Sequence, residues 1–197
     1  MGTVFVDNLE PQSGTSLTLG ASGDTVSVAS GVTNNLGISE ADQWRLSASY
    51  SYSGSQAYVQ LTSNWERADT DGFGKIGTGM SESSGTFSFP QTGVYLITFT
   101  AHAETATNNS RFVGGAIFTT TDNSTYNEAT EINGNALAST MGAGTRTTVT
   151  GQFIFDVTDI TTHKVQFKVT SNVNTTSYLG STSSNATSAT FIRLGDT

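Results

Sequence analysis

The chain contains no cysteine, so disulfide staples and thiolate metal sites are excluded. That predicts a protein made in a reducing cytosol and argues against a small secreted scaffold. Charge is scarce: Asp, Glu, Lys and Arg make up 12% of the residues, about half the usual share. Only eight are Lys or Arg, and a formal net charge of −8 speaks against electrostatic capture of nucleic acid. No apolar run approaches the roughly 20 residues that cross a bilayer, so no membrane insertion is expected. Residues 1–7 lack a basic region and a long apolar core, which predicts no signal peptide. The chain is therefore expected to be soluble as made. No window repeats apolar residues at helical spacing over three turns.

What is present is Ser, Thr, Asn and Gly, with enough aromatic and β-branched residues to exclude disorder. Period-2 alternation recurs along the chain. In His163-Lys164-Val165-Gln166-Phe167-Lys168-Val169-Thr170, Val165, Phe167 and Val169 point one way and the polar residues the other. Tyr95, Ile97, Phe99 and Ala101 alternate likewise, with Val94 and Leu96 on a partly covered opposite face. Val149, Phe153, Phe155 and Val157 form a third inward row. Further strands are predicted at 44–49, 57–63, 85–89, 111–120 and 186–194. Short strands separated by Gly/Asn/Asp/Ser clusters predict an all-β sandwich, and the length suits a jelly roll.

Residues before Trp44 read differently. Ser13-Gly14-Thr15-Ser16-Leu17-Thr18-Leu19 is echoed nine residues later by Ser22-Gly23-Asp24-Thr25-Val26-Ser27-Val28. Each copy is a Ser-Gly turn followed by a tiny strand with two apolar residues on one face. Two such strands make no core alone. Three copies around an axis would bury Leu17, Leu19, Val26 and Val28 against their symmetry mates; a plain hairpin packed on the head or a partner is the alternative. Residues 1–12 carry Val4, Phe5, Val6 and Leu9, either as an arm that docks onto another protein or as a frayed terminus. The expected organisation is an arm (1–12), a β-repeat stem (13–43) and a head (44–197).

Catalytic chemistry is not legible. The two histidines, His102 and His163, are assigned to strand faces opposite the core rows, away from any nucleophile. Glu66, Asp69 and Asp71 fall in a Gly-flanked segment that reads as a turn, not as a facing acid/base pair. Asp69-Thr70-Asp71-Gly72 lacks the later acidic ligand of a calcium loop. No catalytic residue, cofactor or metal site is expected. Asn-x-Ser/Thr triplets at Asn108, Asn123, Asn174 and Asn185 are at the frequency such a composition gives by chance. Function is then expected at surfaces, on the polar loops 105–110, 121–144 and 172–185. Tyr126 and Tyr178 are their aromatic candidates for contacting a sugar or protein receptor, with local packing as the alternative.

One resemblance adds to this. Trp65-Glu66-Arg67-Ala68-Asp69, Gly72-Phe73-Gly74-Lys75-Ile76-Gly77-Thr78-Gly79-Met80 and Gly85-Thr86-Phe87-Ser88-Phe89-Pro90-Gln91-Thr92-Gly93-Val94-Tyr95-Leu96-Ile97 resemble the C1q/TNF-like head domain. Ser188-Ala189-Thr190-Phe191-Ile192-Arg193-Leu194 is similar to its final strand, which runs near the trimer axis. Residues 13–26 resemble segments of tailed-bacteriophage structural proteins. The resemblance implies a C1q/TNF-like jelly-roll sandwich, a homotrimer, and a place in a virion assembled in the host cytoplasm. It implies a tail-fibre or receptor-binding head for host attachment. Alternatives are a capsid decoration (cement) or head-fibre protein and, less favoured, a cellular C1q-like adhesion module. Implied partners are another virion protein through the arm and a host-surface glycan or protein. A collagen-like stalk is missing, and the short repeat would take its place.

Overall fold

The computed structural model describes residues 9–11, 13–15, 18–25, 37–106, 111–135 and 144–197. They belong to two units, Met1–Gly37 and Ile38–Thr197. In the first, Asp24 N–H donates to the Ala21 carbonyl at 3.0 Å and the Asp24 carboxylate accepts from Ala21 N–H at 2.7 Å. This closes a turn at the predicted Ser22-Gly23. Gly14 and Gly23, nine residues apart, share a left-handed backbone with φ of 81° and 94°. Of the stem residues, Leu19 is exposed, while Leu17, Val26 and Val28 lie outside the described residues. Leu9 is exposed, and Val4, Phe5 and Val6 lie outside as well.

Among the described residues of the second unit every regular element is a strand. The order is β1 (Ala41–Leu46), β2 (Tyr50–Ser51), β3 (Val59–Gln60), β4 (Trp65–Arg67), β5 (Ser81–Ser83), β6 (Thr86–Ser88) and β7 (Gly93–Thr105). Then follow β8 (Phe112–Thr120), β9 (Asn127–Asn135), β10 (Thr145–Val157), β11 (Lys164–Ser171), β12 (Thr176–Tyr178) and β13 (Ser188–Gly195). One sheet runs β4-β1-β13-β7-β10, with β12 and β2 continuing beside the far end of β7. The other runs β5-β6-β11-β8-β9, with β3 beside β11. All pairings are antiparallel.

The alternation read in the sequence is the packing code of the sandwich. In β7 the residues from Gly93 to Thr105 alternate strictly between buried and half-buried. Tyr95, Ile97, Phe99 and Ala101 face the core, as do Val165, Phe167 and Val169 from the other sheet. Phe99 stacks on Phe167 at 4.7 Å between ring centroids, joining the sheets at mid-core. Phe87 makes edge contacts with Trp44, Trp65 and Phe167. Each such fully buried ring contributes roughly 1.5–3 kcal/mol of transfer free energy.

Three expectations are corrected. The first strand is Ala41–Leu46 rather than 44–49, so residues assigned to the stem open the sandwich. The loops 121–144 and 172–185 contain β9 and β12. The sequence hid β9 because its composition, Asn-Glu-Ala-Thr-Glu-Ile-Asn-Gly-Asn, is that of an edge strand whose side chains mostly meet water. His163 is buried, not on the surface: its ring stacks on Phe155 at 5.5 Å and sits beside the hydroxyls of Thr158 and Thr162.

Candidate functional site

The outward face of the β4-β1-β13-β7-β10 sheet is ordered in rows. Register places Ala41 opposite Ile192, Ile192 opposite Leu96, and Leu96 opposite Ile154, and a bridge puts Ile76 opposite Ala41. Paired residues share a face. Five aliphatic side chains, Ile76, Ala41, Ile192, Leu96 and Ile154, thus cross the sheet in one line. Ile154 is 60% exposed and Ile76 47%. Leu194 at the end of β13 is exposed too.

The next row is Gln43, Thr190, Thr98 and Gln152. Gln43 donates to Thr190 at 2.9 Å and Gln152 to Thr98 at 3.3 Å. Further along come Thr100 with Thr150, then His102 with Thr148, whose Oγ1 lies 2.5 Å from His102 Nδ1. His102 is on the outward face, as expected. Farthest from the aliphatic row, Arg146 Nε donates to Glu104 at 2.6 Å. The face therefore grades from apolar at one end to hydroxyl and amide, and finally to charge. The face thus sets an exposed aliphatic line beside hydrogen-bonded polar rows, a pattern found in general at interaction surfaces.

Below the aliphatic end lies a buried polar cage. Glu40 accepts from Gly79 N–H at 2.8 Å, Thr78 N–H at 3.1 Å and the Gln91 amide at 3.2 Å. Asp42 accepts from Met80 N–H at 2.8 Å, Trp44 Nε1 at 2.9 Å and Arg67 Nε at 3.0 Å. The glycines of the Gly-rich run are explained by this wrap. A Cβ at Gly77 would stand 2.4 Å from a Glu40 carboxylate oxygen, and one at Gly79 2.7 Å from an Asp42 oxygen; both adopt positive φ. The run encloses two carboxylates of its own chain.

Arg45, on the same outward face, is only 2% exposed. Its Nε donates to Glu66 at 2.8 Å, Nη1 to Thr70 at 2.9 Å, Nη2 to Asp69 at 2.7 Å, and Nη2 also to the Thr182 carbonyl. Glu66 and Asp69, expected as plain turn residues, are its counter-ions, and Glu66 belongs to β4. A concavity of about 240 Å³ beside Arg45 is lined by Gln43, Thr70, Phe73 and Asn185. The guanidinium is fully engaged by its own chain there. Sequence reading missed Glu40, Asp42 and Arg45; charged residues amid aromatics on a predicted strand were the available signal.

Tyr178 does not serve as a surface contact. It is fully buried in β12, and its hydroxyl is shared between the carbonyls of Thr170 at 2.5 Å and Gly114 at 2.8 Å. Burial raises its pKa above the ordinary phenol range. Tyr126 is half-buried near Thr86 and Gln166, and burial raises its pKa as well. The two tyrosines are not brought together.

No known family matches the chain, and no curated protein matches it. Solved structures do. The Eiger TNF from S. frugiperda superposes with a TM-score of 0.57 at 11% identity, over 80% of this chain and 93% of that one. Murine APRIL at pH 5.0 superposes with a TM-score of 0.54 at 12% identity, over 79% of this chain and 98% of that one. Murine APRIL at pH 8.0 gives 0.54 at 13% identity, over the same shares. Identity this low carries the fold alone: the chain has a TNF-like jelly-roll sandwich.

Proposed function

We propose that this chain is a non-enzymatic structural protein of a bacteriophage virion, a homotrimeric tail-fibre or receptor-binding head for host attachment. The observation that carries the assembly is the aliphatic row Ile76–Ala41–Ile192–Leu96–Ile154 on the outward face of one sheet. Exposed to water, such a line costs free energy that a second and third copy remove by covering it. The TNF-like fold agrees with the trimer that the C1q/TNF resemblance implies.

Leu17, Leu19, Val26 and Val28 then bury against their symmetry mates in a stem, and Val4, Phe5, Val6 and Leu9 dock onto another virion protein. Support for the virion comes from the resemblance of residues 13–26 to phage structural segments. Three heads on one rigid trimer gain avidity for a repetitive surface without any new contact.

Light scattering on the purified chain tests the assembly: a mass three times 20.6 kDa is expected, and a monomer removes the argument from the row. Immunogold electron microscopy on phage particles tests the placement. Label at the tail tip supports attachment, label over the shell assigns the decoration role instead, and no label on particles sinks the virion reading.

A further inference from the structure

The other sheet has an outward face too, built differently. Its cross-strand rows read Thr86–Gln166–Phe118–Glu128, then Gln60–Lys168–Ala116–Glu131, then Thr170–Gly114–Asn133. In β8, between β11 and the edge strand β9, the outward residues are Phe112, Gly114, Ala116 and Phe118. Two aromatic rings thus flank two positions with almost no side chain. Beside this strand lies a cavity of about 320 Å³ lined by Gln56, Tyr58, Phe112, Glu131, Asn133 and Thr170. That is at the lower end of the roughly 300–1,000 Å³ that small-molecule sites occupy. A Cβ at Gly114 would meet Asn133 Oδ1 at 2.4 Å and the Thr170 methyl at 2.8 Å. Asn133 and Thr170 close over the buried Gly114, so a larger residue there would displace two of the lining side chains.

The polar lining is pre-arranged. Asn133 Nδ2 donates to Glu131 at 2.7 Å, and Tyr58 lines the same cavity. Gln56 sits on a turn in which it and Ser55 both have positive φ, at 76° and 46°. Such a pair of non-glycine residues is held only when its surroundings over-determine it. Here Asn174 bonds Ser55 twice, at 3.0 and 3.2 Å, and the Thr170 hydroxyl donates to the Gln56 carbonyl at 3.1 Å. Tyr58 is anchored edge-on against Phe118 at 5.6 Å, and the Lys168 ammonium lies over the Phe118 ring at 3.8 Å.

We propose that this trough is a binding site for a neutral saccharide. A sugar ring offers what the lining complements: an apolar C–H face for Tyr58 and Phe112, and a rim of hydroxyls for the Gln56 and Asn133 amides and the Glu131 carboxylate. Aromatic rings with a polar tip suit a ligand that is apolar on one side and wet on the other. Charge selects against acidic glycans. Glu128 and Glu131 flank the trough against the single Lys168, on a chain of net charge −8. The face belongs to the opposite sheet from the aliphatic row, so trimerisation through that row leaves it open. This deepens the attachment reading and rests on it only for the source of the sugar.

The test is saturation-transfer NMR on the intact protein with di- and trisaccharides of glucose, galactose, mannose and N-acetylglucosamine, and with sialyllactose as the acidic probe. Transfer to the ring C–H protons of at least one neutral saccharide is expected at millimolar concentration, with sialyllactose at least about tenfold weaker. Tyr58→Ala should abolish the signal. Asn133→Phe is the control for folding, because an aromatic on an edge strand beside a cross-strand glycine supports the sheet while filling the trough. It should bind no sugar and keep or raise the thermal midpoint. Failure of every neutral saccharide to bind, equal binding by both trough variants, or preference for sialyllactose overturns the proposal. A trimer that binds no sugar would keep the assembly and lose this ligand; a monomer that binds one would do the reverse.

Discussion

Ile192 and Leu96 stand directly opposite each other on adjacent antiparallel strands, both half-buried on the outward face of their sheet. Each also has an aliphatic neighbour on its other side, Ala41 and Ile154. If this row is the seam of a trimer, a charge in its middle separates the copies. Leu96→Asp with Ile192→Asp should give a folded chain with an unchanged β-sheet circular dichroism spectrum and a mass of 20.6 kDa by light scattering. Leu17→Asp with Val26→Asp tests the stem separately. It should loosen the trimer while leaving the head folded, and an unchanged mass removes the stem from the assembly.

Arg45 and Arg146 both pair with glutamates, yet they differ in worth. Arg45 is 2% exposed, whereas the Arg146 side chain is 62% exposed. Arg45→Ala removes the partner of the half-buried Glu66 and of the Thr182 carbonyl, while Asp69, 71% exposed, is left to water, and should cost about 1–3 kcal/mol. Arg146→Ala should cost about 0–1 kcal/mol. Urea unfolding of both variants decides this; equal losses would mean that the Arg45 cluster is hydrated in solution.

Tyr178 is a structural residue. Tyr178→Phe keeps the ring and removes the hydroxyl that the Thr170 and Gly114 carbonyls share. Its expected cost is about 1–2 kcal/mol, with host adsorption unaffected. Phe167→Ala, which empties the centre of the aromatic cluster, should cost about 3–5 kcal/mol. Thermal midpoints rank the two, and a reversed rank would contradict the packing.

Asp122 and Asp159 make the fold sensitive to acid. Thr125 N–H, the Thr120 hydroxyl and Ser124 N–H hold the Asp122 carboxyl well below the usual range. The hydroxyl and N–H of Thr161 depress Asp159. With folded values below unfolded ones, the native state binds fewer protons than the unfolded chain. Their contribution is complete above the unfolded carboxylate pKa of about 4 and is lost as pH falls through the folded values. Urea midpoints measured from neutral pH downward should decline below about pH 4, and less steeply in Asp122→Asn. An identical slope in that variant would remove Asp122 from the acid response.

Much of the sandwich was legible because β alternation is a local signal. The rows 95–101, 149–157 and 165–169 needed only their own residues to declare a buried face. β9 and β12 were not legible, since an edge strand of Asn, Glu and Thr and a three-residue strand owe their pairing to a neighbour's backbone. The resemblance of the Gly-rich run was visible, but its reason was not. Gly77 and Gly79 are fixed by Glu40 and Asp42, nearly forty residues away in the chain.

The sequence by itself determined the all-β class, the core rows, the Ser-Gly turn at residues 22–23 and the composition of the surface. Each follows from periodicity or from the conformational preference of a few adjacent residues. Only the tertiary structure decided which outward residues line up. Ile76, Ala41, Ile192, Leu96 and Ile154 come from five separate segments and become one row through strand register. The same holds for Tyr178, which has the look of a loop aromatic in the sequence and is interior in the fold. Its burial depends on β12 pairing with β7 and β2, a long-range choice set by the free energy of the whole core rather than by the residues around it.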